Sequence, residues 1–182
     1  MTNLTTLDSL KTYLGETSSV ADAQLTQLIS AYSDAVRQYT NRDWTVGSYR
    51  RLFDGKNNLR QMLPQWPIRT VTEVWSDGEQ IPARLDRGQP GYFFDEMSVV
   101  LSCYRFAYGL SNIEILWTAG YDTVPLPIQQ ATNEWAALRY RLSDKLEWSS
   151  KSLAGESVSL IVRDMPESVK LMLNNYRAVV PL

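Results

Sequence analysis

Histidine is absent from this 182-residue chain and cysteine occurs once. Without histidine the commonest general base and metal ligand are gone, and with it the usual catalytic triads and histidine-containing metal sites. A single cysteine excludes an intramolecular disulfide and fits a cytoplasmic life. Cys103 stands in an apolar run, where a small buried hydrophobe is expected. No GxxxxGK[ST] or GxGxxG follows a strand-like run, so phosphate-cradling loops are missing too. Charge of one sign is also lacking: 18 Lys+Arg face 20 Asp+Glu for a net charge of −2. That balance leaves neither the basic footprint of a duplex-binding protein nor a polybasic membrane anchor. The N-terminal MTNLTTLDSL has no basic stretch followed by an apolar one, and no run approaches the length of a membrane span. Secretion by the usual route and insertion in a bilayer are not expected.

What is present suffices for a core, since 44% of the residues are hydrophobic. Thr6 to Leu14 reads as a short helix, capped by Thr6, lined by Leu7, Leu10 and Leu14, and stopped by Gly15. From Val20 to about Thr40, Leu25, Leu28, Ile29, Tyr32, Val36 and Tyr39 recur at helical spacing, with Ser19 and Asp22 approximating a capping box. After VPLP the spacing returns: Pro127 suits a first turn, and Ile128, Ala131, Trp135, Leu138 and Leu142 share one face. This helix is expected to pack on the Val20 helix.

Between them, from Tyr49 to Ala119, short β-like runs alternate with turn chemistry such as DGKNN, SDGEQ and DRGQPG. The candidate strands are Tyr49 to Phe53, Leu59 to Leu63, Val71 to Trp75, Gln80 to Leu85, Tyr92 to Phe94, Val99 to Phe106 and Ile113 to Thr118. The fold class is therefore α+β. Two long antiparallel helices with shorter ones form a helical body (1–48 and 119–148), interrupted by a small antiparallel β-sheet or open barrel (49–118).

Residues 149–182 form a C-terminal strand–helix extension. SSKSLAG reads as a flexible joint, Ser157 to Val162 as a half-buried strand, and Asp164 with Glu167 as the capped start of a last short helix. That helix presents Val169, Met172 and Tyr176, and an apolar tail, Val179 to Leu182, follows. Helices this short are marginal alone, so the appendage needs a host surface, on its own subunit or on a neighbour. The two long helices and the β segment hold most of the large apolar residues, so residues 164–182 are expected to be dispensable for folding.

Candidate chemistry is sparse. Asp95 and Glu96 sit in a predicted turn, where a solvated pair is the simpler reading than an acid/base couple. Arg50, Arg51 and Arg60 near aromatics invite comparison with oligonucleotide-binding barrels, although Asp54, Glu73, Asp77 and Glu79 offset them. A nucleic-acid-binding module on the β segment is the alternative function. Most of the six tryptophans are expected in the core, whereas Trp148, before the joint, suits an interface or a satellite core equally.

The stretches LDSLKTYLG, the amphipathic helix ending YTNRDW, WTAGYDTVP, and SSKSLAGESVS followed by MPESVKLMLNNYR together resemble tailed-bacteriophage head–tail connector proteins, the adaptors that form a ring beneath the portal. The resemblance covers both helical ends and the strand entering the third long helix, and is loose over 54–110. It implies a non-enzymatic structural protein without cofactor or metal, located in the virion at the head–tail interface and in the host cytoplasm during assembly. It implies a homo-oligomeric, twelvefold ring bound to the portal protein and to a stopper or tail-completion protein, with DNA passing through passively. The portal-docking residues would be Leu153, Gly155, Val158, Leu160, Val162, Met165, Val169, Met172, Tyr176, Arg177, Val179, Val180 and Leu182. Lateral ring contacts would include Tyr32, Arg37 and Trp148.

Overall fold

The computed structural model describes residues 2–86, 88–146 and 165–178. Among them it is α+β, with four helices and two open antiparallel sheets; no barrel closes. The chain forms two compact units, one from the residues up to Arg42 and from Val124 onward, the other from Asp43–Thr123.

The helical unit begins with α1, Leu7–Leu14, whose first turn is capped as its sequence predicts: the Thr6 hydroxyl accepts from the Ser9 N–H at 3.2 Å. Gly15 ends it at φ 76°, the left-handed turn that glycine makes without strain. Helix α2 spans Asp22–Thr40. The expected Ser19/Asp22 capping box does not form. Ala21 is the N-cap, and its methyl offers no acceptor, while the Asp22 carboxylate is bound by Lys11 at 2.7 Å. Asn41 closes α2 in the left-handed region, φ 53°. Helix α3 spans Leu126–Leu146 and α4 spans Glu167–Asn174.

Their apolar faces meet at helical spacing. Leu10 of α1, Leu25 and Ile29 of α2, and Ala136 and Ala137 of α3 form one buried cluster, edged by Leu7, Leu14, Leu28, Tyr32 and Tyr140. The two alanines leave room for close approach of the helices. A buried polar cluster ties α1 to α3: Thr5 Oγ1 donates to Asn133 Oδ1 at 2.8 Å, and Asn133 Nδ2 donates to Ser9 Oγ at 2.9 Å.

The β unit carries a four-stranded sheet in the order β1-β7-β3-β4: β1 is Gly47–Gly55, β7 Gly109–Ala119, β3 Ile68–Ser76 and β4 Glu79–Gln80. A three-stranded sheet runs β2-β6-β5, with β2 at Arg60–Met62, β6 at Ser98–Ser102 and β5 at Gly91–Phe94. The long β7 alternates buried Ile113, Ile115, Trp117 and Ala119 with half-buried residues, the period-two pattern of a strand with one core face. With Val74, Ile81, Val99, Leu101 and Phe106 these make the core of the unit, against which Tyr49 and Phe53 of β1 pack.

Two strands are shorter than their composition suggests. Of the run Gln80 to Leu85, only Gln80 lies in a strand, β4, paired with β3; beyond Pro82, which has no N–H to continue that ladder, Ala83 makes an isolated parallel bridge to Tyr92. The run Val99 to Phe106 ends at Ser102, where Cys103 turns to φ 63°. The same turn exposes Cys103, correcting the expectation that it is buried.

Candidate interaction surfaces

The C-terminal helix was expected to offer Val169, Met172 and Tyr176 to a partner. Val169 is instead fully buried, as is Leu173, and α4 packs on α2 and α3 within its own unit. Val169 therefore leaves the docking set. Polar bonds hold the helix in place as well: the Tyr39 hydroxyl donates to Asn174 Oδ1 at 2.6 Å, and the Ala178 N–H donates to the Thr40 carbonyl at 2.9 Å. Arg42, 2% exposed, donates to the Tyr176 carbonyl. Residues 165–178 thus pack within the helical unit, which argues against the expectation that 164–182 are dispensable for folding. Pro166 is the N-cap of α4 and makes no side-chain cap bond; Asp164, expected to cap this helix with Glu167, lies outside the described residues.

Met165, Met172 and Tyr176 are half-buried and Arg177 is exposed, its guanidinium 5.5 Å from the Tyr39 ring. Leu171, 61% exposed, is the large apolar side chain that this helix does present. Sequence reasoning missed it because the i, i+3, i+4 stripe through Val169, Met172 and Tyr176 was assigned to the partner rather than to the subunit's own core. Leu153, Gly155, Val158, Leu160, Val162, Val179, Val180, Leu182 and Trp148 lie outside the described residues. Of the expected lateral contacts, Tyr32 packs on Trp135, and Arg37 donates to Asp34 at 2.8 Å and to the Thr2 carbonyl. Both are half-buried in their own unit.

In the β unit the arginines that suggested a nucleic-acid groove are engaged with their neighbours. Arg50 is ion-paired with Glu114 and Arg60 with Asp95, while Arg51 lies 5.7 Å from the Phe53 ring centroid and Arg84 4.3 Å from that of Phe93. Asp95 is a turn-forming group, as its position in the sequence predicts. Its Oδ1 accepts from the Met97 and Ser98 N–H groups at 2.9 and 2.8 Å. Partial burial opposes its ionisation, but the Met97 N–H, the Ser98 hydroxyl, Arg60 and the Ser98 N–H together draw its pKa down to about 2. Tyr49 moves the other way, up to about 12, through burial first and then the Asp43 carboxylate 3.2 Å from its hydroxyl. Among the described residues no group of three or more Asp, Glu or Cys is placed to hold a metal ion, and no helix is long and apolar enough to cross a membrane.

Two exposed features stand out. The first is the segment 107–112, a short loop running into the start of β7, where Asn112 ties together backbone from three places in the chain. Its Oδ1 accepts from the Gly55 N–H at 3.0 Å, its Nδ2 donates to the Ala107 carbonyl at 3.0 Å, and its own carbonyl accepts from the Asp77 N–H at 2.8 Å. A Cβ on Gly55 would fall within the van der Waals radius of the Ala107 carbonyl oxygen, so only glycine fits. The segment displays Tyr108 and, at the start of β7, Leu110, each 86% exposed. The second is β1, which pairs with β7 on one side and forms the edge of the sheet on the other.

Among the described residues the chain is thus a helical unit interrupted in sequence by a β unit, with exposed apolar side chains and an open sheet edge. The family model for head completion proteins matches residues 3–179. The chain belongs to that family, the head–tail connectors of bacteriophage virions. Its fold is similar to a chain in the neck of an empty gene transfer agent (GTA) particle computed with C6 symmetry, at TM-score 0.61 and 18% identity, covering 98% of this chain and 92% of that one. A chain in the virion of the native GTA particle gives TM-score 0.60 and 19% identity over 98% and 92%. One in the neck of the native GTA particle computed with C12 symmetry gives 0.57 and 17% over 100% and 96%. No curated protein matches the chain.

Proposed function

We propose that this head–tail connector assembles as a ring under the portal, joins the DNA-filled head to the stopper or tail, and lines the channel through which DNA passes. The observation that carries the reading is the family match across residues 3–179, nearly the whole chain. Likeness of fold to neck chains in particles computed with C6 and C12 symmetry supports a ring of repeated copies. The net charge of −2 suits a channel wall, because a basic lumen would hold phosphates through counterion release and slow DNA passage.

In this reading the portal is engaged by the C-terminal segment, through Met165, Met172, Tyr176 and Arg177 together with Leu153, Gly155, Val158, Leu160, Val162, Val179, Val180 and Leu182. Lateral contacts run through the solvent-facing edges of Tyr32 and Arg37 and through Trp148. The chain performs no catalysis, and the host cytoplasm holds it until assembly. A reconstruction of purified particles tests all of this. A ring of this chain between portal and tail is the expected density; isolated copies that do not touch, or particles lacking the chain, would refute the reading.

A further inference from the structure

We propose that two free copies of this chain pair through the outer edges of their β1 strands, running antiparallel about a two-fold axis at Leu52. Strand β1 is nine residues long, and the described residues place nothing on its outer side. Exposed edges of this length offer unpaired N–H and C=O groups to another strand, and proteins ordinarily blunt them with charge. The charges here are of both signs, and their spacing makes the edge complementary to itself.

In an antiparallel pair of β1 strands centred on Leu52, each Arg50 faces the other copy's Asp54, and Leu52 faces Leu52. All three are exposed, Leu52 at 54%; Arg50 and Leu52 alternate with the core-packed Tyr49 and Phe53, and Asp54 follows at the register irregularity between Phe53 and Gly55. Arg50 already holds Glu114, on the adjacent strand, so its guanidinium would sit between two carboxylates. Asp54 uses one oxygen on the Ser111 N–H at 2.6 Å and keeps the other for the partner. On the opposite face the same register sets each Arg51 against the other copy's Phe53, the kind of contact it already makes within its own strand. Shifting the register to centre on Arg51 would place like charges opposite one another and cost what the Leu52 register gains.

The pairing stands independently of the ring reading; its consequence for assembly depends on it. A two-fold contact uses the same edge of both copies, whereas neighbours in a cyclic ring meet through two different surfaces. Paired β1 edges therefore cannot themselves be the lateral contact of a single ring, and subunits held in such pairs would be kept from entering one until they part. An edge contact of this size is below that of a stable interface, which suits a reversible state.

Sedimentation velocity of the purified full chain over a concentration series tests the pairing. Wild type is expected to pass from monomer to dimer with rising concentration. Arg50→Asp, which sets a second carboxylate against the other copy's Asp54, is expected to weaken the dimer about tenfold or more, and adding Asp54→Arg to it is expected to restore dimerisation. Because Arg50 also pairs with Glu114 in the folded subunit, a second readout bypasses any folding loss. With Cys103→Ser removing the native thiol, Leu52→Cys should form a disulfide-linked dimer under mild oxidation, since the axis brings that position opposite itself. Ser48→Cys in the same background should not, its opposite residue being Lys56. Monomer at every concentration, a dimer indifferent to the charge exchange, or cross-linking at Ser48→Cys in place of Leu52→Cys would overturn the proposal. Absence of a ring in particles would leave the dimer measurements untouched.

Discussion

Tyr32 of α2 and Trp135 of α3 meet with ring centroids 5.0 Å apart and planes inclined by 49°. The tilted geometry lets the positive edge of one ring approach the face of the other, and it adds to the burial of Trp135, which is 9% exposed. Trp135→Ala should destabilise the helical unit by about 3–5 kcal/mol. Thermal unfolding followed by circular dichroism checks this, and an unchanged melting temperature would mean that the aromatic pair is not part of the core.

Leu173 gives the equivalent test for α4. It is fully buried, one turn after Val169, so Leu173→Ala should cost about 2–5 kcal/mol. Deleting residues 165–182 should destabilise the subunit further, since it uncovers the surfaces of α2 and α3 against which both side chains pack. Leu171→Ala should leave stability nearly unchanged, because Leu171 is 61% exposed. A truncated subunit that melts like the full chain would show that α4 is only lightly docked.

For Asp95 the prediction concerns pH. Its pKa in the folded protein, about 2, is below the ordinary carboxylate value. The anion therefore contributes stability above the unfolded pKa, and the contribution is lost as pH falls from about 4 towards 2. The energetic effect is small, because the side chain is 46% exposed and solvent screens it. Carboxyl NMR is the direct measurement: Ser98→Ala removes one hydrogen bond to the anion and should move the Asp95 midpoint upward. A midpoint that stayed put would assign the depression to the backbone N–H groups and Arg60 alone.

Gly55→Ala should loosen the 107–112 segment, the loop that enters β7, since the added methyl has to displace the Ala107 carbonyl. Overpacking of this kind costs about 1–3 kcal/mol. Hydrogen exchange at Gly55 and Asp77, whose N–H groups bond to Asn112, should speed up relative to wild type. Equal protection in the two proteins would show that the close approach of Gly55 to Ala107 does not hold the loop.

The helices and most strands were legible in the chain because their apolar periodicity coincides with their burial: Leu25, Ile29 and Val36 on α2, and Ile113, Ile115 and Trp117 on β7. What misled was local chemistry overridden at a distance. Asp22 has the right spacing from Ser19 for a capping box, yet Lys11, eleven residues earlier, takes its carboxylate. Cys103 lies among apolar residues, but its left-handed φ turns it outward, and nothing in its neighbours announces that turn. Val169 fits an interface as well as a core by sequence, and only the positions of α2 and α3 decide between them. The edge position of β1 was likewise out of reach, since strand order depends on pairings that join residues more than sixty positions apart, such as Arg50 with Leu116.

The exposed Cys103 has a practical consequence. A chain with one thiol, and that thiol at the surface of the β unit, accepts a maleimide dye or an electron-dense cluster at a single defined point without any prior mutation. Labelled subunits incorporated into particles would test the proposed ring directly: its labels should repeat at one height around one axis, and pairs of labels should give one recurring distance between copies.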